Sequence, residues 1–392
     1  MSIRRFAAHY VFPVEGPPIR NGVVEVDERG CVRSIAAVAH PDALYSTEFH
    51  SGVIVPGFVN AHCHLELSHL RGVMPAGLGL AEFVRRVGGQ RRVDMQRVEQ
   101  AIARAVDELQ RTGTVAVADI CNTSHTIAAK RQAADLQFCN LVEVFGIGPH
   151  EAAAAYAQAK AVQAQFGEQL GEAQLVPHAP YSVSDALWAL LQPELHGGRV
   201  SIHLGECQAE YELLQHGRGE LFERYMHSVD GYSVPTGGSP EGVVERQLPR
   251  TCRPLLVHCT YAEAERLREL CACFEQATVV TCPESNLYLE GRLPNLAEWQ
   301  RLGLHVAMGT DSLASATTLS MLHGINLALD AFDELTFAEV LRWATLGGAE
   351  ALGLDAQLGS IAVGKRPGLC LIAPFDFARM RPSSQSTVRR MV

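Results

Sequence analysis

Two histidines one residue apart, His62 and His64, stand at the end of an apolar run, residues 53–61. Side chains at positions i and i+2 of a strand point to the same face, so the two imidazoles would converge on one point. Neutral histidine is the commonest nitrogen ligand of transition metals, and such a pair is a good seat for one. The pair alone is equally compatible with one packed and one solvated histidine, so the rest of the chain must decide.

Seven more short apolar runs follow, at residues 115–118, 141–145, 174–176, 199–202, 254–257, 278–281 and 305–308. Segments with helical apolar spacing separate them, such as residues 94–110 and the alanine-rich residues 151–166. Eight strands that alternate with helices predict an α/β fold, a (β/α)8 TIM-type barrel, and about 300 residues is a suitable length. A doubly wound sheet is the competing architecture, and the count of eight strands disfavours it.

The later runs end in polar or reactive residues, which a barrel would place around one mouth, where active sites of this fold lie. They are Asp119, Glu143, His178, His203, His258, Cys282 and Asp311. Together with His62 and His64, the residues His203, His258 and Asp311 could bind Zn²⁺ or Fe²⁺ and leave one position open for water. A catalytic metal needs that open position, because it lowers the pKa of bound water to about 7.

Glu206 follows His203 by three residues, and Gly205 between them allows a sharp turn that can direct the carboxylate into the mouth. A carboxylate near such a water that does not bind the metal is suited to proton transfer. The alternative role for Glu206 is a carboxylate at a helix N-terminus, where the helix dipole favours it.

The flanking segments have strand-like alternation broken by turns. Residues 1–52 and 354–392 are therefore predicted to pair into one small β-sandwich domain beside a barrel of residues 53–353. Residues 231–248, rich in Gly, Ser and Pro, are predicted to form a long loop that either covers the mouth as a lid or extends over the surface.

The net charge of −10 gives no basic footprint for nucleic acid, and no stretch approaches the length of a membrane span. The N-terminus has no signal-peptide pattern. Eleven cysteines, an odd number in a long chain, suit reduced thiols and a cytoplasmic location.

Six motifs in order resemble the amidohydrolase superfamily, and within it the mononuclear aminohydrolases that deaminate adenine-bearing nucleosides. The motifs lie at residues 56–64, 178–182, 203–206, 258–259, 282–286 and 309–311, and the tail at 359–365 is also typical. The resemblance implies one divalent metal, Zn²⁺ or alternatively Fe²⁺, bound by His62, His64, His203 and Asp311. It also implies three catalytic roles: Asp311 accepts a proton from the attacking water, Glu206 protonates the substrate ring, and His258 orients the nucleophile.

The residues after the histidine pair, in the pattern His-Leu-Glu-Leu-Ser, resemble aminodeoxyfutalosine deaminases of menaquinone biosynthesis. This resemblance implies that Glu66 binds ribose hydroxyls and that His178 and Asn286 contact the nucleoside. Departures at Cys63 and His323, and at residues 312–316 and 366–370, leave the substrate open. The alternatives are deaminases of S-adenosylhomocysteine or methylthioadenosine, guanine deaminases, other heteroaromatic amino- or chlorohydrolases, and a scaffold without activity. Relatives of this kind often form homodimers.

Overall fold

A computed structural model describes residues 3–38, 46–89, 93–227, 229, 231–234 and 238–392. Near the N-terminus it places strands β1 (Ile3–Val11), β2 (Ile19–Arg20), β3 (Gly22–Asp27), β4 (Val32–Ala37) and β5 (Glu48–Pro56). The central strands are β6 (Phe58–Cys63), β7 (Thr114–Cys121), β8 (Gln137–Val144), β9 (Gln174–Pro177), β10 (Arg199–Leu204), β11 (Arg253–His258), β12 (Thr278–Thr281) and β13 (Val306–Met308). Two strands end the chain, β14 (Leu369–Asp376) and β15 (Arg381–Arg390).

The strands from the two ends of the chain share one seven-stranded mixed sheet, in the order β15-β14-β5-β1-β3-β4 with β2 beside β1. Strand β5 joins the two ends, because it pairs parallel with β1 and antiparallel with β14. Strands from both terminal segments therefore pair within one sheet. The described strands form one continuous sheet where two facing layers were expected, so the β-sandwich stays a prediction, as does the domain boundary at residue 52.

The apolar run at residues 53–61 was expected to be one barrel strand, and this expectation was wrong. Its first part belongs to β5 in the mixed sheet, and its second part is β6 in the parallel sheet. Gly57 lies between the two strands. A Cβ at this position would lie 2.3 Å from Val115 Cγ1 and 2.8 Å from the Pro367 carbonyl, so a larger residue does not fit. The Gly57 N–H donates to that carbonyl at 3.1 Å. The chain therefore passes from one sheet into the other at a point where only glycine fits.

The eight central strands form two parallel four-stranded sheets, β6-β7-β8-β9 and β10-β11-β12-β13. The sheets meet at both edges. The N–H of His203 donates to the carbonyl of His178 at 2.9 Å, and the N–H of Asp311 donates to the carbonyl of His62 at 3.0 Å. Buried on both faces, strands such as β7 read as continuous apolar runs. The carboxyl ends of all eight strands therefore lie around one common region.

Helices connect the strands and cover their outer faces. They are α1 (Leu80–Gly89), α2 (Met95–Arg111), α3 (Ile127–Gln132), α4 (Ala152–Leu170), α5 (Asp185–Leu191), α6 (Gln208–His216), α7 (Pro240–Gln247), α8 (Ala264–Cys271), α9 (Pro283–Glu290), α10 (Leu296–Arg301), α11 (Met321–Ala331), α12 (Phe337–Arg342) and α13 (Gly348–Leu352). Short 3₁₀ turns occupy Leu65–Leu70, Pro149–Glu151 and Gln192–Glu194, and π-helical turns occupy Phe222–Met226 and Trp343–Gly347. The two helices predicted at residues 94–110 and 151–166 are confirmed as α2 and α4.

The segment 231–248 was expected to be a loop, but its second half is helix α7. Ser239 caps this helix by accepting the Gly242 N–H at 3.1 Å, and Pro240 occupies its first turn. Ser followed by Pro is a recognised helix start, which the Gly and Ser content of the segment concealed. Residues 235–237 lie outside the described residues. Over the described part of the chain, no helix is long and apolar enough to cross a membrane.

Candidate active site

The predicted metal ligands converge at the carboxyl ends of the central strands. His62 lies near the end of β6, with His64 just after it, and Asp311 lies three residues beyond β13. The Nε2 atoms of His62 and His64 are 3.1 Å apart, and Asp311 Oδ1 lies 3.7 and 3.5 Å from them. Ligands that surround a metal tetrahedrally at 2.0–2.2 Å are separated by about 3.4 Å. These three atoms therefore have the spacing of ligands to one metal.

His203, at the end of β10, completes the predicted set. One nitrogen each from His203, His62 and His64 can be chosen so that all lie within 4.8 Å of one another. The Nε2 atom of His203 is buried and has no hydrogen-bond partner. Its nearest carboxylate oxygen, on Glu143, is 3.6 Å away. An unpaired buried nitrogen beside a converging donor set fits a site that a metal ion would complete.

Neighbouring hydroxyls orient the ligands. Asp311 Oδ2 accepts hydrogen bonds from Ser285 at 2.6 Å and Ser315 at 3.0 Å, which leaves Oδ1 facing the histidines. Burial opposes ionisation of Asp311, but the facing imidazoles of His258, His64 and His203 outweigh it and hold the pKa of the carboxyl below its usual range. Burial and the adjacent imidazoles lower the pKa of His62, so this ring is neutral, as metal binding requires.

His258 and Asp311 have positive φ angles, 70° and 59°. This left-handed backbone costs a non-glycine residue about 1–3 kcal/mol and is found mainly where function requires it. His258 is the last residue of β11 and Asp311 lies beyond the end of β13, so the backbone changes direction at both positions. The strain therefore serves the placement of two predicted catalytic side chains.

Glu206 lies where the chain turns between β10 and α6. Its carboxylate oxygens lie 3.6 Å from His258 Nε2 and 3.5 Å from His203 Nδ1. Burial favours the neutral acid, but the imidazoles of His258 and His203 outweigh it and lower the pKa of Glu206. Gly205 adopts a φ of +54°, which allows the predicted sharp turn. The carboxylate thus lies beside the donor set, as a proton-transfer group would.

Asn286 does not lie where the sequence placed it. It is buried on α9, behind His258. It is not among the described residues that line the cavity next to these side chains, which is described below. Its Oδ1 lies 3.1 Å from His258 Nδ1, and its amide nitrogen donates to Thr260 Oγ1 at 2.8 Å. With the amide held in this orientation, Nδ1 of His258 is the donor and Nε2 faces the site. The expected nucleoside contact is replaced by a contact to a catalytic candidate.

A cavity of about 450 Å³ opens onto the converged residues. His64, His203, Glu206 and Asp311 line it, and so do the predicted contacts Glu66 and His178. Many of its other lining residues are apolar, among them Leu67, Leu70, Leu80, Phe83, Val84, Val87, Val93, Met95 and Val98. A volume of this size fits a nucleoside-sized ligand. None of the described residues of the segment 231–248 lines the cavity. The role of this segment as a lid over the cavity therefore stays a prediction.

Glu66 belongs to a polar wall that sequence reasoning missed. Its Oε2 accepts hydrogen bonds from the backbone N–H groups of Asn122 and Thr123, both at 3.0 Å, and from the Thr123 hydroxyl at 2.9 Å. The Asn122 side chain donates in turn to Glu143 Oε2 at 3.2 Å. Burial raises the pKa of Glu66 to about 7. Glu143 was visible in the sequence as a strand-end carboxylate, whereas nothing marked Asn122.

The comparisons with known proteins agree with this geometry. Residues 53–388 match the model of the Amidohydrolase family. An aminodeoxyfutalosine deaminase of Deinococcus radiodurans is 29% identical over 355 residues, which cover 85% of this chain and 81% of that protein. A 5-methylthioadenosine/S-adenosylhomocysteine deaminase of Pelotomaculum thermopropionicum is 27% identical over 347 residues, 83% of this chain and 73% of its own.

Solved structures share the fold. Helicobacter pylori aminofutalosine deaminase, crystallised with methylthio-coformycin, superposes with a TM-score of 0.80 at 22% identity and covers 99% of this chain and 100% of its own. An adenosine deaminase from Xanthomonas campestris with bound zinc has a TM-score of 0.69 at 26% identity, with 94% of this chain and 84% of that chain covered. The chain therefore belongs to the amidohydrolase family and is a hydrolase that acts on carbon–nitrogen bonds.

Proposed function

We propose that this protein is a metal-dependent deaminase that hydrolyses the amino group from an adenine-bearing nucleoside, with aminodeoxyfutalosine as the first-choice substrate. The observation that carries the proposal is the spacing of His62 Nε2, His64 Nε2 and Asp311 Oδ1, at 3.1 to 3.7 Å, beside Glu206 at the end of a nucleoside-sized cavity. The deaminases named among the relatives support the reaction class.

The metal ligands in this proposal are His62, His64, His203 and Asp311, and the ion is Zn²⁺, with Fe²⁺ as the alternative. A set of three histidine nitrogens and one carboxylate, with no cysteine thiolate, is suitable for both Zn²⁺ and Fe²⁺. A divalent metal bound by these residues lowers the pKa of water to about 7 and so supplies hydroxide at neutral pH. The zinc in the Xanthomonas campestris structure supports this choice.

The chain's own residues move the protons. Asp311 accepts a proton from the attacking water, and His258, held by Asn286 at 3.1 Å, orients the nucleophile through Nε2. Glu206 protonates the ring nitrogen next to the amine-bearing carbon, which makes that carbon a better electrophile as the C–O bond forms. The proton held by Asp311 then passes to the amine, the C–N bond breaks and ammonia leaves, while the hydroxyl proton of the intermediate returns to Glu206 as the C=O bond forms. One water is consumed and one ammonia is released.

In this proposal the base of the nucleoside lies beside Glu206, and the ribose hydroxyls donate to Glu66. His178 contacts the nucleoside as well. The apolar residues that line the cavity contact the substituent on the ribose 5′ carbon. This apolar surface also favours methylthioadenosine, with its small thioether, as a second candidate substrate.

The finer features of the fold belong to the same proposal. The two parallel sheets form the closed (β/α)8 barrel, and the hydrogen bonds at both edges support this closure. The mixed sheet forms the core of the small domain built from both ends of the chain. A homodimer and a cytoplasmic location stay predictions.

The test is ammonia release by the purified metal-loaded protein from aminodeoxyfutalosine, methylthioadenosine, S-adenosylhomocysteine, adenosine and guanine. We expect aminodeoxyfutalosine to have the highest kcat/KM. Glu206→Gln removes the proton-transfer group while keeping its size, and should lower kcat by about 100-fold or more. No ammonia from any of the adenine nucleosides, with metal bound, would contradict the proposed function. Preference for methylthioadenosine would correct the substrate alone.

A further inference from the structure

A buried ammonium group, Lys130 Nζ on α3, lies outside the active-site cavity and has no role in the chemistry above. Its side chain is completely buried, and Nζ lies 2.6 Å from Asp119 Oδ2. It also donates to Asn140 Oδ1 at 2.7 Å and to Cys121 Sγ at 3.5 Å. All three acceptors lie on β7 or β8. The ammonium is therefore fully paired and fixes the position of one carboxylate, that of Asp119.

The second oxygen of that carboxylate points towards the metal ligands. Asp119 Oδ1 accepts the backbone N–H of Leu65 at 2.9 Å, and Leu65 follows His64 directly. In the sheet, Asp119 pairs with Cys63, the residue between the two histidines. Asp119 is fully buried and is absent from the described lining of the cavity. One oxygen of the Asp119 carboxylate thus contacts Lys130, and the other accepts a hydrogen bond from the backbone next to His64, a proposed metal ligand.

On the side that faces β7, no regular strand ladder holds the backbone at this point. The pairing of β6 with β7 shifts register between Asn60 and Cys63, so the regular ladder is interrupted where the ligands lie. Leu65 begins a 3₁₀ turn, and the first N–H groups of such a turn have no partner within it. Because Leu65 is fully buried, water cannot replace the carboxylate as acceptor. The direction of the His64 ring therefore depends on a hydrogen bond that Asp119 alone supplies.

We propose that Asp119, held by Lys130, is a positioning residue for the metal site: it fixes the turn at His64 and Leu65 and thereby raises the affinity for the metal. The proposal rests on the metal ligands of the proposed function. Residues that orient metal ligands through one intervening group typically change metal affinity by about 10- to 100-fold. A merely structural ion pair would alter unfolding and leave the metal affinity of the folded protein unchanged.

The first test compares two double variants that both remove the buried charges. Lys130→Met with Asp119→Asn keeps an amide oxygen for the Leu65 N–H, whereas Lys130→Met with Asp119→Leu does not. Zinc Kd is measured on the metal-free, folded protein by competition with a chromophoric chelator, and circular dichroism verifies folding. We expect the Leu double variant to bind zinc about 10-fold or more weakly than the Asn double variant.

The second test removes the donor and leaves the ion pair intact. Leu65→Pro lacks the N–H, and proline is tolerated in the first position of a helical turn. Leu65→Ala loses similar side-chain volume but keeps the N–H, so it is the matched control. The proline variant should bind zinc about 10-fold more weakly than the alanine variant. This pair decides the matter if the Leu double variant does not fold.

Equal zinc Kd values within the pairs, in a wild type that binds zinc, would overturn the positioning role and leave the proposed function intact. A wild type that binds no zinc would instead contradict the metal site of the proposed function. Because the readout is metal affinity, neither result depends on which nucleoside the protein deaminates.

Discussion

The residues of the candidate site divide into those that the sequence identified by type and those that only the structure could place. His62, His64 and Asp311 lie at or just beyond strand ends, and the parallel sheets bring them to within 3.7 Å of one another. Asn286 belongs to the second group, because its contact depends on how α9 packs against β11. A motif gives the residue type but not the direction of its side chain.

Asn286→Leu tests the position that the structure gives this residue. Leucine has a similar volume but cannot accept the His258 Nδ1–H, so His258 loses its orientation. We expect kcat to fall about 5-fold while KM stays nearly unchanged, since one lost hydrogen bond to a neutral partner is worth about 1 kcal/mol. Steady-state kinetics of the metal-loaded variant measures both constants.

Thr260→Val is the companion variant, because it removes only the hydroxyl that holds the Asn286 amide. It should lower kcat in the same direction and to a smaller extent. A large rise in KM with unchanged kcat in Asn286→Leu would instead support the nucleoside contact that the sequence suggested.

At the scale of elements, the turn between β10 and α6 shows how a carboxylate is held beside the ligands. The Glu206 N–H donates to Glu210 Oε2 at 3.1 Å, and the other oxygen of Glu210 is buried without a hydrogen-bond partner. Burial, together with the nearby carboxylates of Glu206 and Glu241, raises the pKa of Glu210 well above its ordinary value of 4.5. The surroundings of Glu210 at this turn therefore favour its neutral form.

Glu210→Gln should stabilise the fold at neutral and alkaline pH. A raised pKa in the folded state means that the stability linked to this proton is complete below the unfolded value of 4.5. That stability is lost as the pH rises through the folded value. Glutamine keeps an oxygen that accepts the Glu206 N–H and carries no charge. It therefore removes from the free energy of unfolding a pH dependence of at most about 1.4 kcal/mol per pH unit. Denaturant unfolding across a pH series measures the difference from wild type.

The exposed Glu168, on α4, offers the control, since Glu168→Gln removes a carboxylate that water already surrounds. This variant should follow the pH dependence of wild type. If Glu210→Gln has the same pH dependence as Glu168→Gln, Glu210 is ionised in the folded protein and the interpretation of the turn is wrong.

At the scale of the whole molecule, the proposed metal site would join several distant parts of the chain, because its proposed ligands lie on or just after β6, on β10 and in the segment after β13. A ligand that binds only the folded state stabilises it by about 4 kcal/mol at 1,000 times its Kd. Removal of the metal with a chelator should therefore lower the unfolding midpoint by several degrees, and added Zn²⁺ should restore it.

His203→Ala provides the control for this measurement, since the variant lacks one ligand and should show a much smaller midpoint shift on addition of zinc. Calorimetry with and without chelator measures both proteins, and metal analysis gives the zinc and iron content. A wild-type midpoint that is insensitive to chelator would argue against a metal at these residues.

The sequence predicted the central strands, two helices and the converging ligands, because each depends on local pattern and on the common edge of parallel strands. It did not predict the break at Gly57, since that break depends on the closeness of Val115 and Pro367. It assigned no role to Lys130 or Asp119, whose pairing requires α3 to pack onto β7. Features that depend on contacts between distant segments were the ones it missed.

The pairing of β5 with β14 also affects how the chain is made on a ribosome. Pro56 pairs with Leu369 and Val53 with Ile372, so the strand that leads into the first two histidines obtains one of its partners only after residues 369–372 have been synthesised. Until then, one edge of β5 offers unpaired backbone groups to other chains. Nascent protein would therefore need protection from aggregation for most of its synthesis, and incomplete chains would be targets for proteolysis instead of partly active enzymes.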